Sequence, residues 1–239
     1  MTTSGWSTIS CPVRAERWAP TARTSKAGRR SRRWRWRRSG CGSARWLRAT
    51  LIAIRLERLE ESARVIKLLW TEPRPKFEGK HYQLHEPPYD PPNVQQPHPP
   101  FLIGGGGEKR TLRTVARYAD ACNVSGTPEE VRHKFEVLEG HCRDAGRDPS
   151  EIRRTMQVML FLNEDPAFQE RVVQGVKAFR GGTEDEARRS VLMGSVEDVR
   201  AGVQAFVDVG VEEIYLQQFP RTHRESLLRF SREVIPAFR

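Results

Sequence analysis

The sequence has little of what marks several large classes of protein. Its 239 residues include four cysteines, with no CxxC pair and no histidine at ligand spacing; they are Cys11, Cys41, Cys122 and Cys142. A zinc framework and a disulfide-stapled secreted domain are therefore not expected. No run approaches the ~18 apolar residues of a membrane span, and no apolar segment follows the early charges as in a signal peptide. These absences predict a cytoplasmic protein with no membrane partner.

Acidic residues are nearly missing from the first fifth of the chain. Residues 1–50 hold 13 of the 41 basic residues and the single acid Glu16, which leaves 28 basic and 29 acidic residues for 51–239. The net charge of +11 therefore belongs to this Arg- and Trp-rich segment, which has no helical or alternating apolar period. We expect the segment to be disordered. Nucleic-acid binding is the alternative from another functional class, and its affinity would fall steeply with salt.

Residues 51–239 show helix and strand patterns in alternation. The predicted elements are an amphipathic helix from Arg55, a hairpin at 77–82, a seven-proline connector at 87–100, strands at 101–103, 119–124, 154–163 and 213–217, and helices at 108–118, 127–145, 166–179, 195–210 and 225–237. Strand and helix alternate four times, which predicts an α/β fold with a parallel sheet, either doubly wound or a β/α barrel. Four units make half of an eight-unit barrel.

A run of glycines between a strand and a helix is the most informative local motif. Its residues are Gly104, Gly105, Gly106 and Gly107, followed by Lys109, Arg110 and Thr111. Glycines let backbone N–H groups approach a phosphate closely, and the helix N-terminus and the basic side chains favour negative charge. The spacing is neither that of GxGxxG nor that of a P-loop. The motif predicts a phosphate site, with a tight turn bearing solvated basic residues as the alternative.

The remaining chemistry-bearing side chains favour structural roles. His81 and His85 lie in the predicted hairpin, and His133 and His141 lie two turns apart on a predicted helix, so we expect packed or exposed histidines. Cys122 lies in a predicted strand with no base beside it in sequence, which favours a buried small residue over a nucleophile. The sequence shows no catalytic triad, paired carboxylates or metal cluster.

Residues from about Arg55 to Phe238 resemble the luciferase-like oxidoreductases, particularly those that use coenzyme F420. The matching segments are RLERLEESARVIKLLW, FEGKHY, VQQPHPPFLIGGGGEKRTLRTVARYADACN, PEEVRHKFEVLEGHCRDAGRDPSEI and DVRAGVQAFVDVGVEEIYLQ. The Pro-strand-GGGG-EKRTL part is the most specific, and in such a family it binds the phosphate-bearing side chain of the flavin or deazaflavin. Cys122 departs from the pattern, since relatives often carry an aromatic residue there.

The resemblance implies a TIM (β/α)₈ barrel of which this chain supplies the later four units, with the cofactor at the carboxyl ends of the strands. It implies hydride transfer between coenzyme F420 and a small organic substrate, with FMN-dependent monooxygenation as the nearest alternative. An inactive truncated member is another alternative, because an open four-strand sheet exposes its edges. A homodimer could cover such edges. Catalytic residues are not assigned, because the early strands build much of the family's substrate pocket.

The basic segment also has an interpretation at the level of the gene. Codons for Ala22–Arg48 can be chosen so that another frame encodes an apolar stretch similar to an early helix and strand of this family. We hypothesise that residues 1–50 are an out-of-frame translation, with a further stretch deleted near residues 48–55. Sequencing the encoding DNA tests this. We expect the +2 reading to contain the apolar stretch, and its absence would contradict the hypothesis.

Overall fold

A computed structural model describes residues 42–217 and 224–238, with side chains from Ile52 onward. The helices are α1 (Gly42–Thr71), α2 (Thr111–Tyr118), α3 (Pro128–Ala145), α4 (Pro166–Arg180), α5 (Glu184–Arg189), α6 (Val196–Val207) and α7 (Arg224–Arg229). The strands are β1 (Lys76–Glu78), β2 (Gln83–His85), β3 (Leu102–Gly104), β4 (Ala121–Val124), β5 (Arg153–Leu162), β6 (Leu192–Gly194) and β7 (Glu213–Gln217). The predictions for residues 1–41 lie outside the described residues.

Five parallel strands form the sheet, and β5 holds them together. The order is β3, β4, β5, with β6 and β7 also paired to β5. Thr155 of β5 is in register with Asn123 of β4 on one edge and with Glu213 of β7 on the other. The end of β5 pairs with β6. The predicted parallel α/β sheet is confirmed, but it has five strands, because β6 adds one to the four predicted. Strands β1 and β2 form the predicted separate hairpin.

The core lies on one face of this sheet. Along β5 the alternate residues Met156, Val158 and Leu160 are buried, because successive side chains of a strand point to opposite faces. Helices α2, α3 and α6 cover that face; their core side chains are Leu112, Val115, Val131, Phe135, Leu138, Val199, Val203 and Phe206. A second cluster joins α4 and α5 and includes Met159, which lies on the opposite face of β5. The sheet therefore has a core face and an inner face.

Helix boundaries follow local capping chemistry where the sequence provides it. Thr127 and Glu130 form a reciprocal capping box at the start of α3, and Gly146 ends that helix in the left-handed conformation with φ 67°. Ser195 and Asp198 form the same box at the start of α6. The predicted helix starts at 127 and 195 are confirmed to within one residue, and at each start the cap side chain satisfies a backbone group of its own helix.

Several elements differ from the predictions. Helix α1 begins at Gly42 instead of Arg55, and α2 begins at Thr111 because residues 108–110 form a turn. Helix α5 and strand β6 were not predicted, because their six and three residues are too few to show a helical or alternating apolar period. The predicted last helix is instead α7 followed by a π-helical turn and a 3-10 turn containing Pro236, which has no N–H for a helical bond.

Two acidic residues of α1 hold the β1–β2 hairpin. The Glu61 carboxylate accepts the backbone N–H groups of Lys80, His81 and Tyr82 at 3.0, 2.8 and 3.0 Å. Burial opposes ionisation of Glu61, but these bonds lower its pKa overall. Glu57 contacts Lys80 Nζ at 2.8 Å and His81 Nε2 at 3.0 Å, and hydrogen bonds from Lys80 and His81 lower the pKa of Glu57 to about 2. The hairpin is therefore docked by ionised carboxylates.

We expect acid to weaken this docking. A carboxylate whose pKa is lowered by folding stabilises the fold above its unfolded pKa, near 4.5, and loses that contribution as the pH falls through the folded value. Thermal unfolding of the wild type at pH 6 and pH 3 should show a larger drop than in Glu61→Gln, which has already lost the charge. Glu72→Gln, an exposed change beyond α1, is the control and should behave as the wild type. Equal pH responses in all three proteins would contradict the assignment.

Candidate functional site

The glycine run forms a tight loop at the carboxyl end of β3. Gly105 has φ 129°, a conformation that side chains other than glycine rarely adopt, and its N–H donates to the Asn123 carbonyl at 2.9 Å. The Gly107 carbonyl accepts the Leu112 N–H at 3.0 Å at the start of α2. The loop is thus tied to β4 on one side and to α2 on the other.

Close neighbours explain why the middle of the loop is glycine. A Cβ atom at Gly106 would lie 2.9 Å from Lys134 Cε, and one at Gly107 would lie 2.8 Å from Thr111 Oγ1. Thr111 is buried beneath the loop. The contact with the buried Thr111 leaves no room for a side chain at position 107, whereas the flexible end of Lys134 could move aside from a side chain at position 106. The absent side chains leave the backbone of Gly104–Gly107 exposed to solvent.

The two predicted basic residues after the glycines differ in exposure. Lys109 is exposed, whereas Arg110 is half-buried. Hydrogen bonds from Lys80 and His81 are the main cause of the low pKa of Glu57, and the charge of Arg110 adds to them. Arg110 therefore shares its charge with α1. Helix α2 has no side-chain cap at its N-terminus, although the N–H of Leu112 in its first turn already donates to the Gly107 carbonyl.

Sequence reasoning missed Lys134, which lies beneath the same loop. Its Nζ donates to the Ser125 carbonyl at 2.5 Å, and it lies 3.2 Å from a Cβ built on Gly106 and 3.3 Å from one built on Gly126. The ammonium group thus fills the space between the loops that follow β3 and β4. Burial lowers the pKa of Lys134, although nearby Glu130 partly opposes this effect. Position 134 is two helical turns from Thr127, and helical spacing alone gives no sign that it faces the glycine run.

The inner face of the sheet carries a polar chain of hydrogen bonds near this edge. Asn123 Nδ2 donates to Thr155 Oγ1 at 3.0 Å, and Thr155 Oγ1 donates to the Cys122 carbonyl at 2.9 Å. Gln157 Nε2 donates to Gln217 Oε1 at 3.0 Å across β5 and β7. The face that would line a barrel interior is therefore partly polar, unlike the opposite core face.

The structural roles expected for Cys122 and the histidines are consistent with their surroundings. Cys122 is fully buried, and burial raises the pKa of its thiol to about 12, which makes it a poor nucleophile. His81 contacts Glu57, and His133 and His141 lie beside Glu108 on the protein surface. Within residues 42–217 and 224–238, no cluster of side chains could hold a metal ion, and no helix is long and apolar enough to cross a membrane.

A parallel β/α sheet with a glycine loop at the carboxyl end of a strand defines a class of barrel-type proteins that bind ligands at that edge. Comparison with known proteins places the chain more narrowly. The luciferase-like monooxygenase family model matches residues 52–231. The chain belongs to this family, as the resemblance in sequence predicted.

Three similar proteins illustrate the range of the family. An F420-dependent glucose-6-phosphate dehydrogenase of Kineococcus radiotolerans is 26% identical over 231 residues, covering 84% of this chain and 68% of that protein. An F420-dependent secondary alcohol dehydrogenase, solved with an F420-acetone adduct, has a TM-score of 0.66 at 18% identity over 79% of this chain and 63% of its own. A long-chain alkane monooxygenase has a TM-score of 0.60 at 15% identity over 77% of this chain and 56% of its own.

These structural similarities establish the fold. The chain spans between about half and two thirds of the length of the two solved structures, as expected for part of a luciferase-like barrel.

Proposed function

We propose that this chain is a coenzyme F420-dependent oxidoreductase that transfers a hydride to or from a small organic substrate. Family membership carries the proposal, and the Kineococcus relative and the secondary alcohol dehydrogenase, both F420-dependent by name, favour the deazaflavin. FMN-dependent monooxygenation is the second candidate, because the chain also shares its fold with an alkane monooxygenase. The glycine loop serves either cofactor, since both carry a phosphate.

The proposed phosphate seat consists of backbone and side-chain donors at one strand end. Its members are Gly104, Gly105, Gly106, Gly107, Lys109, Arg110, Thr111 and Lys134. The loop N–H groups other than that of Gly105, which donates to the Asn123 carbonyl, and the uncapped N-terminus of α2 offer donors to a phosphate, and the cations balance its charge. Lys134 strengthens the proposal because an ammonium group placed between two loops is costly to desolvate and is compensated when an anion binds beside it.

Bound F420 would supply a ring carbon that accepts or gives a hydride. The described residues would hold the side chain of the cofactor, fix its direction along the carboxyl edge of the sheet and shield part of it from water. Catalytic residues remain unassigned among them. The partner we propose is thus a small-molecule substrate and not a specific nucleic acid. Assembly into a homodimer is a separate proposal.

We expect the wild-type chain to bind F420 more tightly than FMN, and Arg110→Ala to weaken binding. Loss of one charge-assisted contact costs about 1.5–3 kcal/mol, or about 10- to 100-fold in Kd. Arg117→Ala is the matched control, because Arg117 lies in α2, the helix that Arg110 precedes, and pairs with Glu60 at 3.2 Å. Fluorescence titration of each cofactor measures Kd. If neither cofactor binds, or both variants lose equal affinity, the proposed seat is wrong.

Lys134 gives a sharper test, because its contact should be specific to the phosphate. We expect Lys134→Met to weaken binding of F420 or FMN about tenfold or more, yet to leave unchanged the affinity for their phosphate-free counterparts, the deazaflavin alcohol and riboflavin. Lys134→Arg should restore part of the loss. Lys177→Met, which removes an exposed lysine paired with Glu184 at 3.1 Å, is the control. Equal weakening with and without the phosphate would show a structural role instead.

A further inference from the structure

A cavity of about 570 Å³ lies at the carboxyl ends of β5 and β7. Its described lining residues are Met159, Phe161, Val172, Gly175, Val176, Phe179 and Gln217. Gln217 supplies the polar side chain, and no charged side chain lines the cavity among the described residues. The volume falls within the range of small-ligand pockets.

The position of the cavity relates it to the glycine loop. Met159 and Phe161 occupy the inner face of β5, because they alternate with the core residues Val158 and Leu160. Met159 is in register with Gln217 on β7. All five strands of the main sheet are parallel, so the cavity lies at the same edge of the sheet as Gly104–Gly107. The cavity and the glycine loop are separated by two to three strand spacings of about 4.8 Å each, or roughly 10–15 Å.

Helix α4 forms the outer wall of the cavity, and the face that it presents there contains a glycine. Val172, Gly175, Val176 and Phe179 follow helical spacing and present one face to it. Gly175 lies inside the helix, although glycine is a poor helix former. A Cβ atom added at Gly175 would have no neighbouring atom within 4 Å. The glycine therefore leaves open space on the cavity side. One turn further on, Phe179 is 90% exposed at the rim.

We propose that this cavity binds the apolar part of an uncharged substrate, such as an aliphatic alcohol or ketone. The proposal rests on the proposed function, because it places the substrate within reach of a cofactor held by the glycine loop. Among the described lining residues there is no cation to balance the charge of a sugar phosphate, the substrate named for the Kineococcus relative. The Gln217 amide is placed to bind a hydroxyl or carbonyl group of the substrate.

The test compares ligand binding to the full chain by isothermal titration, with 1-octanol and glucose 6-phosphate as probes and with F420 titrated separately. We expect wild type to bind 1-octanol and to show no binding of glucose 6-phosphate. Gly175→Leu should weaken 1-octanol binding at least tenfold by filling the cavity, while leaving F420 affinity unchanged. Leucine is the better helix former, so a loss of binding would not reflect an unfolded α4.

Gly140→Leu is the matched control, because Gly140 also lies inside a helix, in α3, and does not line this cavity. It should bind 1-octanol as the wild type does. Unchanged 1-octanol affinity in Gly175→Leu, absence of 1-octanol binding in the wild type, or preference for glucose 6-phosphate would each overturn the proposal. Binding of 1-octanol without binding of F420 would leave the apolar site intact and refute the proposed function instead.

Discussion

The fold depends on the backbone hydrogen bonds of one long strand. Strand β5 pairs with β4, β6 and β7, so three of the other four sheet strands are placed by its register. Its alternating side chains also divide the molecule, because one set joins the core under α2, α3 and α6 and the other faces the inner side. A one-residue slip would exchange these faces and expose the core set to water. Both the glycine loop and the apolar cavity depend on this register.

Parallel pairing brings chemically different groups to one edge. The loop after β3, the Ser125 carbonyl after β4 and the cavity beyond β5 share that edge because every strand runs in the same direction. Lys134 reaches this edge from α3 and contacts two of the loops. Along this edge, the positively charged glycine-loop region and the apolar cavity lie two to three strands apart. This arrangement suits the proposed cofactor, which has a phosphate at one end and a reactive ring at the other.

The similarity to named enzymes supports a proposal for the cofactor class better than it supports one for the substrate. Most of the groups proposed to hold a phosphate lie in one continuous segment, the glycine loop and the three residues that lead into α2. The cavity, in contrast, is built by α4 and by the ends of β5 and β7, elements whose loops vary among proteins of one fold. If both proposals hold, this chain and a relative at 26% identity use the same cofactor on substrates of opposite polarity.

Local sequence determined the elements whose signals are complete within one segment. The helix starts near Thr127 and Ser195, the helix end before Gly146 and the strand-glycine-helix motif could all be predicted, because the residues that signal them lie within the same segment. Tertiary structure alone decided which residues meet: Lys134 beneath Gly106, Glu61 on the hairpin, and Gly175 opposite Met159. These contacts join distant segments, and no local period encodes them, since the register of β5 and the packing of α3 and α4 set the distances.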